Sequence, residues 1–284
     1  MTRHYRSLLT GALVAASLAA GACSHGPGQA RITLATTTSV GNSGLLDALL
    51  PVFEREAGTQ VRPLLVGSGR ALQMLVSGDA DVAITHAPEA EAATLDGRHE
   101  WLYRKIMFNE FVIVGPGDDP ARIKGAAGAV DAMRRIARSG AVFVSRGDSS
   151  GTHERERQLW TLAGAQPAAK QLVVAGSGMG TTLRVADNVG AYTLTDEATF
   201  RQHAGQLQNA LLFEDDPLLL NTYAVIVSAG RHHAAARARQ FAAWLSDGNG
   251  RDAIERFRVG PNKVQAFFPW PAGVPRDRPE ALPK

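Results

Sequence analysis

The chain has 284 residues, 45% of them hydrophobic and 20% charged, enough apolar material for two medium-sized lobes. Its formal charge of +3 falls by two, to +1, once Arg3 and Arg6 are set aside with the leader described next, and no Lys/Arg stripe with interleaved aromatics occurs. That excludes a basic nucleic-acid-binding surface, and the single cysteine, Cys23, excludes internal disulfides and thiolate-rich metal sites.

The N-terminus reads as an export signal over 1–22, with a basic start (Arg3, His4, Arg6) and an apolar run over 8–20 too short to span a bilayer comfortably. It ends Ala20-Gly21-Ala22-Cys23, which places Cys23 where a bacterial lipoprotein carries its lipidated thiol; Ala20-x-Ala22 also fits an ordinary signal peptidase site. A tether over 23–30 would follow, leaving the protein periplasmic or otherwise extracytoplasmic and anchored through Cys23.

Strand and helix signals then alternate, which predicts an α/β fold. Strands are expected over 31–35, 61–66, 81–85, 111–114, 141–144, 171–174, 191–194 and 221–228. Helices are expected over 43–57, 70–77, 130–138, 153–163, 179–186, 197–203, 232–245 and 252–257. In the first helix Leu45, Leu46, Leu49, Leu50 and Phe53 share one face, and Pro51 should kink the run or shift its start. Two glycine turns, Gly67-Ser68-Gly69 and Gly176-Ser177-Gly178, each join a strand to a helix and stand 109 positions apart. Two similar lobes facing one cleft would explain that echo. Extended crossings near 112–116 and 220–225 would let them close as a hinge. The lobes divide as 31–113 with 224–284, and 114–223.

Two loops bear the chemistry. Thr36-Thr37-Thr38-Ser39 lies at the carboxyl end of the first strand, where open α/β sheets place ligands, and offers four hydroxyls, more than a helix cap needs. Ser145-Arg146-Gly147-Asp148-Ser149-Ser150-Gly151-Thr152-His153 follows another strand and opens a helix. A guanidinium fork, hydroxyls and free N–H groups at a helix N-terminus suit a multivalent oxyanion. Asp148 can orient Arg146 while the rest of the guanidinium faces the anion.

An exported hydrolase using Ser150 is the competing class, but His153 lies only three residues on with no evident orienting carboxylate, and no Gly-x-Ser-x-Gly elbow occurs. His232-His233 lacks companion ligands at metal spacing, so no metal site and no cofactor is expected. His86, with Glu89 and Glu91 nearby, is either a cleft residue or plain surface.

These motifs, with Ser43-Gly44-Leu45-Leu46-Asp47, Gly67-Ser68-Gly69-Arg70-Ala71, Gly78-Asp79-Ala80-Asp81-Val82, His86-Ala87, Phe111-Val112-Ile113-Val114-Gly115-Pro116, Gly178-Met179-Gly180 and Ala191-Tyr192-Thr193-Leu194-Thr195-Asp196, resemble the periplasmic tungstate-binding proteins of ABC transporters over roughly 31–260. The resemblance implies a type 2 periplasmic-binding-protein fold that clamps tungstate or molybdate, makes no covalent change, acts as a monomer and delivers its ligand to an inner-membrane permease with its ATPase. By motif match it puts the oxyanion contacts on Thr37, Thr38, Ser39, Ser68, Arg146, Ser150 and Thr152, with Ser177 a weaker candidate and Asp148 behind Arg146. The same fold could instead take phosphate or sulfate, or signal to a membrane partner by the same closure.

Ligand chemistry separates some of these. Tungstate and molybdate are fully deprotonated at neutral pH and want donors only, whereas phosphate retains a proton and gains from a carboxylate acceptor. Asp148 is the one acid in these loops, so its orientation decides between them.

Overall fold

The computed structural model describes residues 30–148, 150–230 and 233–279. The leader, Cys23 and the tether up to residue 29 lie outside the described residues.

The first lobe opens with β1 (Ala30–Thr37), α1 (Thr38–Asn42), α2 (Leu45–Ala57), β2 (Thr59–Val66), α3 (Ser68–Ser77), β3 (Val82–Thr85) and α4 (Pro88–Leu95). The long strand β4 (Leu102–Gly115) then crosses into the second lobe. That lobe holds α5 (Ala129–Ser139), β5 (Phe143–Ser145), α6 (Gly151–Ala163), β6 (Leu172–Val174), α7 (Met179–Asn188), β7 (Thr193–Asp196), α8 (Glu197–His203) and β8 (Ala210–Phe213). The chain returns through β9 (Leu220–Val227) and finishes on the first lobe with α9 (His233–Asp247), α10 (Asn249–Arg256) and β10 (Phe268–Pro269).

The main sheet runs in the order β10-β4-β9-β3-β1-β2. β1 is parallel to β2 and β3, and β9 is antiparallel to β3 and β4. β4 changes partners along its length: Leu102 to Glu110 pair with β9, and from Phe111 onward the strand pairs with β7 and β8. β5 and β6 form a parallel pair in the second lobe, as β1 and β2 do in the first. Both crossings are therefore strands paired to each other where they leave the first lobe. Arg155 of α6 donates to the Leu218 and Leu220 carbonyls, fastening α6 to the start of the return crossing.

Each lobe has its own core. In the first, Ile32 and Leu34 of β1 meet Leu45, Leu49 and Phe53 of α2, and Phe53 packs edge-on against Phe241 at 4.8 Å. In the second, Phe111 and Ile113 of β4 meet Met133, Ile136, Phe143 and Trp160. Burying each such side chain contributes about 1.5–3 kcal/mol. α2 starts at Leu45 and continues past Pro51 to Ala57. Pro51 and Asp47, whose carbonyl loses its helical donor, both lie on the exposed face, where water can replace the bond.

Candidate functional site

The loops that leave the carboxyl ends of β1, β2, β5 and β6 meet between the lobes, and each leads into a helix N-terminus. Thr37 ends β1 in extended backbone and caps α1, its Oγ1 accepting from Val40 N–H at 3.3 Å. Gly67, also extended, starts α3. Ser150 caps α6, its Oγ accepting from His153 N–H at 3.2 Å. Gly178 starts α7.

Glycines let these loops touch. A Cβ on Gly67 would stand 3.6 Å from the Asp148 carbonyl, and one on Gly178 would stand 3.3 Å from Thr38 Oγ1. On Gly151 it would collide with the backbone carbonyl of His86. Gly147, at φ +62°, faces the Val174 side chain with no room for a Cβ and is also in the left-handed region. The second glycine turn is tied to the Arg146 loop by Ala175 N–H to Ser145 O and Gly176 N–H to Arg146 O, both 2.9 Å. The lobes are thus in contact through backbone, and the cleft is closed.

Arg146 lies at the centre, 1% exposed. Its Nη2 is held by Asp148 Oδ2, while its Nε and Nη1 are buried with no protein partner. Asp148 Oδ1 accepts from Ser150 N–H at 3.2 Å, so both carboxylate oxygens are engaged within the loop. Thr152 Oγ1 and Ser177 Oγ are likewise buried and unpartnered. Buried polar groups are nearly always hydrogen-bonded, so donors orphaned together mark where a ligand's oxygens belong. Thr37, Ser68 and Ser150 already accept backbone N–H groups, Ser68 Oγ from His86 N–H at 3.3 Å. Each hydroxyl therefore keeps its own proton for donation. Ser39 is buried in α1. The residues expected to contact the anion lie in these loops or in the first turns of the helices they open, and Thr36 Oγ1, beside them in β1, is a further buried unpartnered hydroxyl.

Three neighbours were not assigned to the site by the sequence. His86 is buried, with its ring stacked on Tyr223 at 4.9 Å and Nδ1 at 2.9 Å from Asn221 Oδ1. Asn221 Nδ2 donates to Asn109 and Tyr223, which makes its oxygen the acceptor and His86 Nδ1 the donor. Burial lowers the His86 pKa to about 4, so the ring is neutral at pH 7. The choice between cleft and surface resolves as cleft. Glu156, on α6, accepts from Arg146 N–H at 3.1 Å. Glu154, two residues earlier on α6, reaches across to α4 and accepts from Glu89 N–H at 3.1 Å. Ser150 Oγ accepts from the backbone N–H of His153, and His153 lines a cavity behind the loop together with Glu156 and Trp160.

Elsewhere, a cavity of about 570 Å³ near the C-terminal tail contains Asp247 and Arg276, which are paired with each other at 2.8 Å. Among the described residues no group of His, Cys, Asp and Glu is arranged to hold a metal ion.

Two α/β lobes joined by two crossing strands, with donors converging from both, define a two-lobed ligand-binding protein. Residues 22–248 match the model of the PBP superfamily domain. The tungstate-binding protein TupA of Peptoclostridium acidaminophilum is 37% identical over 231 residues, covering 80% of this chain and 81% of that protein. The tungstate ABC transporter structure from Geobacter sulfurreducens superposes with a TM-score of 0.73 at 36% identity, covering 80% of this chain and 98% of that one. The TupA structure from Desulfovibrio alaskensis G20 gives 0.71 at 36% identity, covering 85% and 99%. The chain belongs to the PBP superfamily and, within it, to the family of the TupA tungstate-binding proteins. Two of these relatives are tungstate-binding proteins and the third is described as a tungstate ABC transporter; the fold is the type 2 periplasmic-binding-protein fold.

Proposed function

We propose that this protein is the extracytoplasmic substrate-binding component of an ABC importer and that it captures tungstate, with molybdate as the nearest competitor. The observation behind this reading is the Arg146–Asp148 pair: Asp148 spends both oxygens inside its own loop, while Arg146 keeps two buried nitrogens unpartnered. A site that offers N–H and O–H donors and turns its one loop carboxylate away favours a dianion with no proton over hydrogen phosphate. Thr37, Thr38, Ser39, Ser68, Ser150, Thr152 and Ser177 supply the hydroxyl donors, and the helix N-termini add backbone N–H groups.

Capture involves no covalent chemistry. The lobes, 31–113 with 224–284 and 114–223, close by bending the paired crossing strands, and the closed face is presented to the permease and its ATPase. The protein acts as a monomer anchored in the periplasm through Cys23; Cys23→Ser should release it from membranes, and a wild-type protein found only in the soluble fraction would remove the anchor.

Calorimetric titration of the mature protein with tungstate, molybdate, sulfate and phosphate at neutral pH tests the reading. Tight tungstate with weak phosphate is expected. Tight phosphate without tungstate would overturn the ligand and favour the phosphate alternative.

A further inference from the structure

The Arg146 loop has two sides. One faces the cleft. The other rests on α6, where the buried Glu156 carboxylate accepts from Arg146 N–H at 3.1 Å and takes side-chain hydrogen bonds from Ser145 and Trp160. Behind Glu156 is a cavity of about 310 Å³, lined also by His153, Arg157, Gln166 and Val174. Gly147, Arg157 and Val174 on its wall are exposed, so the cavity reaches solvent. A buried acid thus sits one residue's thickness from the anion cradle, with its own route to water.

We propose that Glu156 is a positioning residue of the oxyanion site, which props the Arg146 loop from behind and takes up a proton when the anion is captured. The inference rests on the oxyanion reading above. Among the charged or titratable groups around Glu156 are Arg146 with its partner Asp148 on the loop, and His153 and Arg157 on its own helix; the β6 side, Leu172 and Val174, is apolar, and α5 packs on α6 through Met133 and Ile136 while its Arg134 donates to the Ala163 carbonyl. Arg146 is the charge that helps keep the carboxylate ionised, against a burial that raises its pKa to about 7. A dianion seated on Arg146 cancels that help and adds negative charge nearby, so the protonated form gains.

The sign follows from linkage. Below about pH 7 Glu156 is protonated with or without ligand, and affinity is level. Above it the free protein must take up a proton in order to bind, so affinity falls with rising pH, by no more than about tenfold per unit for a single group.

The test is tungstate calorimetry at about pH 8 in two buffers of different ionisation enthalpy, which counts protons taken up. Glu154, also raised to about 7, is mainly ionised there in both states. Wild type should take up a fraction of a proton per anion. Glu156→Gln, which keeps an oxygen for Arg146 N–H, should bind with no uptake and a flat pH profile. Uptake equal in both proteins, or none in wild type, overturns the inference. Should the variant not fold, a Glu154→Gln background decides: there the ¹³C-labelled glutamate carboxyl that titrates near pH 7 is Glu156, and it must move upward on adding tungstate. No tungstate binding at all would instead sink the oxyanion reading.

Discussion

The two lobes are the same unit built twice, and they furnish the site differently. In each, a parallel strand pair ends in loops that start helices: β1 and β2 in the first, β5 and β6 in the second. In each, a buried glutamate props a loop from behind. Glu91 accepts from Thr85 Oγ1 at 2.7 Å and Ala87 N–H at 3.0 Å, and Glu156 accepts from Arg146 N–H. Yet in the proposed site the first lobe would bring hydroxyls and backbone from Thr37 to Ser39 and from Gly67 to Ser68, whereas the second would bring the guanidinium. Every donor to a dianion makes a charge-assisted bond, and the guanidinium adds a fixed positive charge and a planar fork that can hold two oxygens at once. The neutral lobe contributes only when it is close enough to touch. On the proposed site, affinity would divide into charge from one lobe and closure against the other, and substitutions can separate the two.

Closure should be the larger share. Gly151→Ala puts a methyl group into the His86 backbone carbonyl, which has no flexible side chain to move aside. Alanine suits the first turn of α6 at least as well as glycine does, so the free protein should remain folded. The lobes must then stand apart, and two or more bonds from the first lobe to the anion are lost. At about 1.5–3 kcal/mol each, tungstate affinity should drop roughly 10²- to 10⁴-fold. Wild-type affinity in this variant would show that the contact is not needed for capture. Arg146→Ala removes the charge but leaves the loops free to meet, and should cost roughly 1.5–3 kcal/mol, or 10- to 150-fold. If titration finds its affinity unchanged, Arg146 does not touch the ligand.

The sequence displayed the charged lobe more openly than the neutral one. Arg146, Asp148 and Ser150 sit in one continuous run after a strand, so spacing alone suggested the cradle. The alternation of strands and helices was also plain, because α2, α5 and α6 each bury a helical stripe. α1 escaped notice: five residues of Thr, Ser, Val, Gly and Asn have little helix propensity, and its start is set by the Thr37 cap. α4 was hidden because Glu91 is its one buried residue, leaving no apolar face to detect, although Pro88 at its first position was a signal. β8 is four residues long and pairs only with the far half of β4. His86 could be read only as cleft or surface and Glu156 not at all, since both owe their place to partners distant in sequence or to what packs behind a loop.

Closure should also respond to pH through Glu154. This carboxylate of the second lobe accepts from Glu89 N–H, at the open N-terminus of α4 in the first lobe. Burial against the other lobe, with Glu89 and Glu91 nearby, raises its pKa from 4.5 to about 7. A carboxyl raised in the closed state holds a proton that the open state releases. The closed form is therefore fully favoured below about pH 4.5 and loses that contribution as pH rises through about 7. A fluorophore pair spanning the lobes should report opening of the ligand-free protein over this range, and Glu154→Gln should flatten the response. Equal pH dependence in both proteins would assign it to another group.

The smallest effect should come from Asp148→Asn, because it separates orienting the cation from meeting the ligand. The amide of that variant would keep one oxygen for Arg146 Nη2 or for Ser150 N–H, but not two. The guanidinium would be less firmly aimed, while no donor to the anion would be lost. Tungstate affinity should then fall by less than about tenfold, under about 1.4 kcal/mol. Sulfate and phosphate should keep their relative order, since neither would lose an acceptor it was using. If phosphate binding instead collapses while sulfate gains, Asp148 was accepting the proton of hydrogen phosphate. The second lobe would then supply an acceptor as well as a cation, and the donor-only account of the site would fail.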